Sequence, residues 1–181
     1  MNLKPFKIAF AGLKDGKHEF TYEIDNAFFE EFGFEEFNSS ALNVVVTMDK
    51  RPTIMDLEFV STGVVNLNCD LTNEPFDMPL EVQMDVVVKF GQEFNDENES
   101  LLILTHGEYE FYVSQYIYEM LVLAVPAKRV HPGIADGTLQ SDIVNKLEEL
   151  KPKTNFLKQQ EKQEVDPRWD ILKNLKTDNN L

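Results

Sequence analysis

Few side chains in this chain are equipped for covalent or metal chemistry. One cysteine, Cys69, and three histidines, His18, His106 and His131, are scattered, and none has another His or Cys at chelating spacing. Structural zinc needs four close donors, so no metal ligand is assigned. A nucleophilic cysteine wants a general base and an electropositive setting, and the negative charge of Asp70 beside Cys69 works against the electropositive setting. Cys69 therefore reads as a small buried hydrophobe. No Gly-rich turn leads from a strand into a helix, so nucleotide binding has no support and no cofactor is assigned. With 32 Asp and Glu in the chain, paired carboxylates arise by chance, and no catalytic acid or base is assigned. What remains is a basic cluster, Lys128-Arg129-Val130-His131. It suits contact with a phosphate or an acidic partner, and it equally suits neutralisation of acidic neighbours.

Charge narrows the partners. Residues 1–150 hold ten Lys/Arg against 27 Asp/Glu, a net −17, while residues 151–181 hold seven against five, a net +2. Nucleic-acid backbones are bound through Lys and Arg, so such a body is a poor direct RNA binder. It is also repelled by anionic membrane surfaces, and no apolar run reaches the length a membrane helix needs. Basic proteins are the better match, because opposite potentials steer association. The single Cys and the absence of a signal-like apolar start point to a cytoplasmic chain.

The elements that position these groups are mostly strands. Val65, Leu67, Cys69 and Leu71 alternate with Asn66, Asn68 and Asp70; after Thr72-Asn73-Glu74-Pro75, Leu80 to Phe90 alternate again. Period-two alternation describes strands with one wet face, and the Pro-containing break suggests a hairpin. Met55, Leu57 and Phe59 share the parity of Val65 through Gly63, which implies one long strand with a glycine bend. Upstream, Leu42 to Met48 form a further strand. Phe6 to Phe10 and Phe20 to Ile24 read as a hairpin, followed by a short helix capped by Asp25. Acids near that helix (Glu30, Glu31, Glu35, Glu36) read as a solvated face around buried Phe side chains.

Residues 92–100 read as an acidic loop, with short strands at Leu101–Leu104 and Tyr109–Val113. Ser114 is placed as the cap of a largely buried helix that ends at Pro126. Ala127 to Gly137 read as irregular, and Leu139, Ile143, Leu147 and Leu150 as an amphipathic helix. Composition changes after Leu150. Residues 151–164 read as a polar linker, and Asp166-Pro167 as a strong helix start that places Trp169 and Leu172 on a short terminal helix. The expected fold is α+β: an antiparallel, partly barrel-like meander with two or three packed helices over residues 1–150, then a linker and helix over 151–181.

Three stretches together resemble the YceD family of large ribosomal RNA subunit accumulation proteins. Leu67 to Phe76 resembles the family's central strand running into two cysteines separated by two residues, then Leu, Glu and Pro. Here Cys69, Glu74 and Pro75 match, while Thr72 stands where the second cysteine belongs. Glu119 to Pro126, followed by His131-Pro132, is similar to the family's apolar helix, its Pro and its nearby His. Asp166 to Leu175 is similar to its Asp-Pro-Arg motif and Leu-rich helix. The further cysteine of many members, downstream of the His-Pro region, has no counterpart.

The resemblance implies a non-catalytic role in 23S ribosomal RNA accumulation and large-subunit assembly, on pre-50S particles. The acidity favours basic ribosomal proteins or assembly factors as partners over direct 23S rRNA contact. Interaction candidates are Asp166, Pro167, Arg168, Trp169 and Leu172, with Lys128, Arg129 and His131; Cys69, Thr72, Glu74, Pro75 and Pro126 are structural. Two alternatives stay open. One is a small-ligand or metal-dependent enzyme with its pocket near Cys69 and His131. The other is direct RNA binding through Lys128, Arg129, Arg168 and the terminal Lys residues.

Overall fold

The computed structural model describes residues 5–98, 100–139 and 142–150. Alternating apolar residues build a six-stranded sheet from β2 (Gly16–Ile24), β3 (Ser39–Lys50), β4 (Ile54–Asn68), β5 (Pro75–Gly91), β6 (Asn95–Asn98) and β7 (Leu101–Thr105). The strand order is β2-β3-β4-β5-β7-β6. The meander β2 to β5 is antiparallel throughout, as the alternation suggests, whereas β7 joins β5 in parallel. The fold is α+β, and the sheet is open rather than closed into a barrel.

The opening strand lies outside this sheet. β1 (Lys7–Ala9) does not form a hairpin with β2; it pairs with β8 (Glu110–Tyr112) in a separate two-stranded sheet. Ile8 lies opposite Phe111, both buried, and the Lys7 ammonium meets the Glu110 carboxylate at 2.8 Å. A three-residue strand gains more from this long-range apolar pair than alternation near Gly12 and Gly16 can disclose.

β4 is one unbroken strand through Gly63, as its parity requires, with Met55, Leu57, Phe59, Val65 and Leu67 buried. Gly63 has φ +154°, and a Cβ there would sit 2.3 Å from the Ala41 carbonyl oxygen and 2.7 Å from Leu42 Cα. Only glycine lets β3 and β4 approach this closely at such a φ. Asp25 caps α1 (Asn26–Glu31), its carboxylate accepting from Phe28 N at 3.3 Å. Phe28 and Phe29 turn inward from α1 and pack with Phe32, Phe34 and Phe37.

Four expectations change. The acidic loop after β5 contains the edge strand β6, which pairs with β7. α2 (Ser114–Ala124) is capped by Val113 without a side-chain hydrogen bond, and Ser114 lies buried in its first turn. That helix buries Tyr116, Ile117, Met120 and Leu121 but leaves Leu123 77% exposed, so it is amphipathic rather than enclosed. α3 (Pro132–Ala135) breaks the segment expected to be irregular. α4 (Asp142–Leu150) belongs to a second unit beginning at residue 142. It starts after Leu139, whose N–H donates to Gly133 O at 2.9 Å. Among the described residues no helix is long and apolar enough to cross a membrane.

Candidate functional site

The turn after β4 and the loop after α2 meet, and they hold most of the residues singled out by sequence. β4 stops at Asn68, and residues 69–74 fold into a tight connection to Pro75, the first residue of β5. Cys69 N donates to Glu74 O at 2.9 Å, Asn73 N donates to Cys69 O at 2.8 Å, and Asn73 takes a left-handed φ of 59°. Asparagine tolerates that conformation better than most residues. The turn also ends the alternation: Leu71 is exposed, and Thr72 is buried in its place.

The loop arrives by way of Pro126. Val125, the C-cap of α2, is extended (φ −72°, ψ 125°), as the steric demand of a following proline dictates. Asp70 then latches the loop. Its backbone N–H donates to Arg129 O at 2.8 Å, and its carboxylate accepts from Arg129 N at 2.6 Å. The Arg129 guanidinium bonds Glu36 at 2.6 Å and approaches Asp70 at 3.4 Å. Its pKa is raised by the hydrogen bond to Glu36; burial opposes this, and the Asp70 charge reinforces it. Arg129 thus has two acidic neighbours, Glu36 and Asp70. Lys128 is exposed.

His131 closes the assembly. Its backbone N–H donates to Cys69 Sγ at 3.3 Å, and its Nδ1 accepts from Gly133 N at 2.9 Å, capping α3. Because a backbone N–H only donates, Nδ1 carries the lone pair. Gly133 is buried, and a Cβ there would stand 2.9 Å from both His131 Nδ1 and Thr138 Oγ1, so a larger residue would displace one of these side chains. The imidazole packs edge-on against Phe76 with ring centroids 5.5 Å apart.

Cys69 is 2% exposed. Burial pushes its thiol pKa up, but hydrogen bonds from the Thr72 hydroxyl and from the His131, Leu71 and Thr72 backbones outweigh it, and the thiol lies below its ordinary value. Thr72 thus faces Cys69 from the position of the family's second cysteine. A hydroxyl there is a hydrogen-bond donor rather than a second thiolate, and the pair does not supply a zinc donor set. Among the described residues no group of three or more His, Cys, Asp or Glu is arranged to hold a metal ion.

Asp166, Pro167, Arg168, Trp169 and Leu172, with the linker before them, lie outside the described residues. Sequence reasoning missed Asp70 and Glu36 as the partners of Arg129, because residues so far apart along the chain carry no local signal of their meeting. It also missed a cleft of about 770 Å³ between β6, β8 and α2, which includes neither Cys69 nor His131.

These features define an α+β domain in which a hairpin turn and a basic loop form one hydrogen-bonded unit. The family model for large ribosomal RNA subunit accumulation protein YceD matches residues 57–176, well over half the chain, and the chain belongs to that family. The matched span takes in all three stretches on which the resemblance rests. Comparison with curated proteins and with solved structures finds no match.

Proposed function

We propose that the chain is a non-catalytic factor in large-subunit biogenesis, supporting 23S rRNA accumulation through contacts with basic ribosomal proteins or assembly factors on pre-50S particles in the cytoplasm. Family membership over residues 57–176 carries the reading. The net charge of −15 favours protein contacts over direct RNA binding. The engagement of Arg129 by Glu36 and Asp70 supports the same choice, since it withdraws one of the few cations of the body. Contacts are assigned to the exposed Lys128 beside the latch and to the Asp166-Pro167-Arg168-Trp169 stretch with Leu172.

The test is sedimentation of cell extracts with and without the protein. It is expected to travel with large-subunit precursors, and its depletion is expected to lower 23S rRNA. Absence from precursors together with unchanged 23S levels refutes the reading. Trp169→Ala is expected to lose co-sedimentation while leaving the melting temperature of the purified protein unchanged. A truly buried Trp would instead cost about 3–5 kcal/mol of stability.

A further inference from the structure

The cleft between β6, β8 and α2 has an apolar floor and an acidic rim. Leu102 and Leu104 line it from β7, and Phe94, Tyr109, Tyr112 and Leu123 surround it with 55%, 61%, 52% and 77% of their surfaces exposed. Large side chains seldom gather in the open on a protein that has no partner for them. Five carboxylates also line the cleft: Asp96, Glu97, Glu108, Glu110 and Glu119. Glu110 alone among them pairs with a cation among the described residues, Lys7, and Glu119 accepts from Gln115 Nε2 at 2.5 Å. Uncompensated like charge of this density favours a cationic occupant.

A second observation narrows the chemistry. Tyr116 is 92% buried, lines the same cleft, and its hydroxyl has no hydrogen-bond partner among the described residues. Burial, followed by the charges of Asp96 and Glu119, pushes its pKa up to about 12, so at neutral pH it stays a donor. A buried donor without an acceptor is costly, and an occupant that brings an acceptor removes that cost. Metal ions and polyamines bring positive charge but no acceptor, and nucleic acid brings acceptors with the wrong charge. A peptide with Lys or Arg side chains brings both, together with apolar side chains for the floor.

We propose that this cleft binds a Lys/Arg-bearing protein segment, with an apolar side chain seated by Tyr109, Tyr112 and Leu123 and a backbone carbonyl accepting from the Tyr116 hydroxyl. The inference deepens the proposed function, and rests on it, in that basic proteins are the partners. Its size suits the role, since specific sites commonly enclose a few hundred to about 1,000 Å³.

The test uses the full chain and a short fluorescent peptide alternating Lys with Leu, followed by anisotropy, with amide shifts locating the site. The wild type is expected to bind it saturably, more weakly as salt rises, with shifts at Tyr109, Tyr112 and Leu123. Leu123→Lys and Glu108→Lys, both at exposed positions, are each expected to weaken binding about tenfold, the effect of losing an apolar anchor or inverting a rim charge. Tyr116→Phe is expected to weaken it about fivefold while leaving the fold at least as stable, because the orphaned hydroxyl is removed. Affinities within about twofold of wild type in all three variants overturn the proposal, by the usual scatter of neutral surface changes. So does equal binding of a peptide alternating Glu with Leu. Cleft shifts that track protein concentration show a second copy as occupant, and shifts produced by Trp169→Ala without peptide show the chain's own C-terminal stretch; either overturns it. Failure of the two readings separates cleanly. Lost peptide binding with an intact 23S phenotype on depletion refutes the cleft alone, and peptide binding without that phenotype refutes the role in rRNA.

Discussion

Asp70→Ala is the sharpest perturbation of the latch. The carboxylate does two things for one residue: it accepts from the Arg129 backbone N–H at 2.6 Å and lies 3.4 Å from the guanidinium. The side chains of Asp70 and Arg129 are 34% and 27% exposed, so solvent screens the ion pair, which contributes at most about 1 kcal/mol. The short bond from the backbone N–H to the carboxylate is charge-assisted and worth roughly 1.5–3 kcal/mol. Alanine removes both, while Glu36 keeps its hold on the guanidinium. The expected loss is about 2 kcal/mol, or about 6 °C in melting temperature for a domain of this size. Asp70→Asn keeps an acceptor of the same shape and is expected to lose less than half as much. Lys128→Ala, at an exposed position, is expected to stay within about 0.5 kcal/mol. Urea unfolding followed by circular dichroism measures all three, and amide exchange at Arg129 reports the loop directly. A loss below about 0.5 kcal/mol for Asp70→Ala, with unchanged exchange at Arg129, refutes the latch.

Other outcomes follow from single contacts. Gly63→Ala is expected to cost about 3 kcal/mol or more, since the new methyl would meet backbone atoms of β3 at a φ that L-residues avoid, and urea unfolding reads it. Tyr22 and Tyr116 have phenols pushed up to about 12, chiefly by burial, against an ordinary 10.0. Between those values the unfolded chain loses protons that the folded chain keeps, so stability falls as pH rises from 10 towards 12. Replacing both with Phe is expected to flatten that alkaline decline in urea titrations. Thr72→Val removes a donor that favours the Cys69 thiolate, so the thiol is expected to titrate higher, as followed by thiolate absorbance.

What the sequence disclosed follows from the range of each signal. The alternation in β4 and β5 is carried by neighbouring residues, and Met55 to Leu67 on one parity is enough to show one strand running through Gly63. Asp25 caps α1 because its partner, Phe28 N, is three residues away. β1 failed as a hairpin with β2 because its partner β8 is about a hundred residues distant, and alternation says nothing about which strand lies alongside. Ser114 looked like a helix cap, yet tertiary packing buried it inside the first turn. The cleft was invisible for the same reason as β1. Tyr109, Tyr112, Tyr116 and Leu123 read locally as ordinary strand and helix residues, and only the crossing of β8, β6 and α2 makes a concave surface of them.

Thr72, which stands where the family resemblance puts a second cysteine, takes on a structural meaning once the turn is seen. Thr72 still faces Cys69 and donates to it, and the backbones of His131, Leu71 and Thr72 converge on the same sulfur. The bond from the His131 N–H to this sulfur links the hairpin turn to the loop that carries Lys128. Asp70 does the same work one residue on, through Arg129. The cationic groups of the loop differ in their surroundings: Arg129 is ion-paired with Glu36 and Asp70, while Lys128 is exposed. The rim of the cleft, where Asp96, Glu97 and Glu108 have no cation among the described residues, is where negative charge meets exposed apolar surface. The chemistry most open to a partner is thus on the β8–α2 side, away from the cysteine turn that carries the most recognisable part of the sequence.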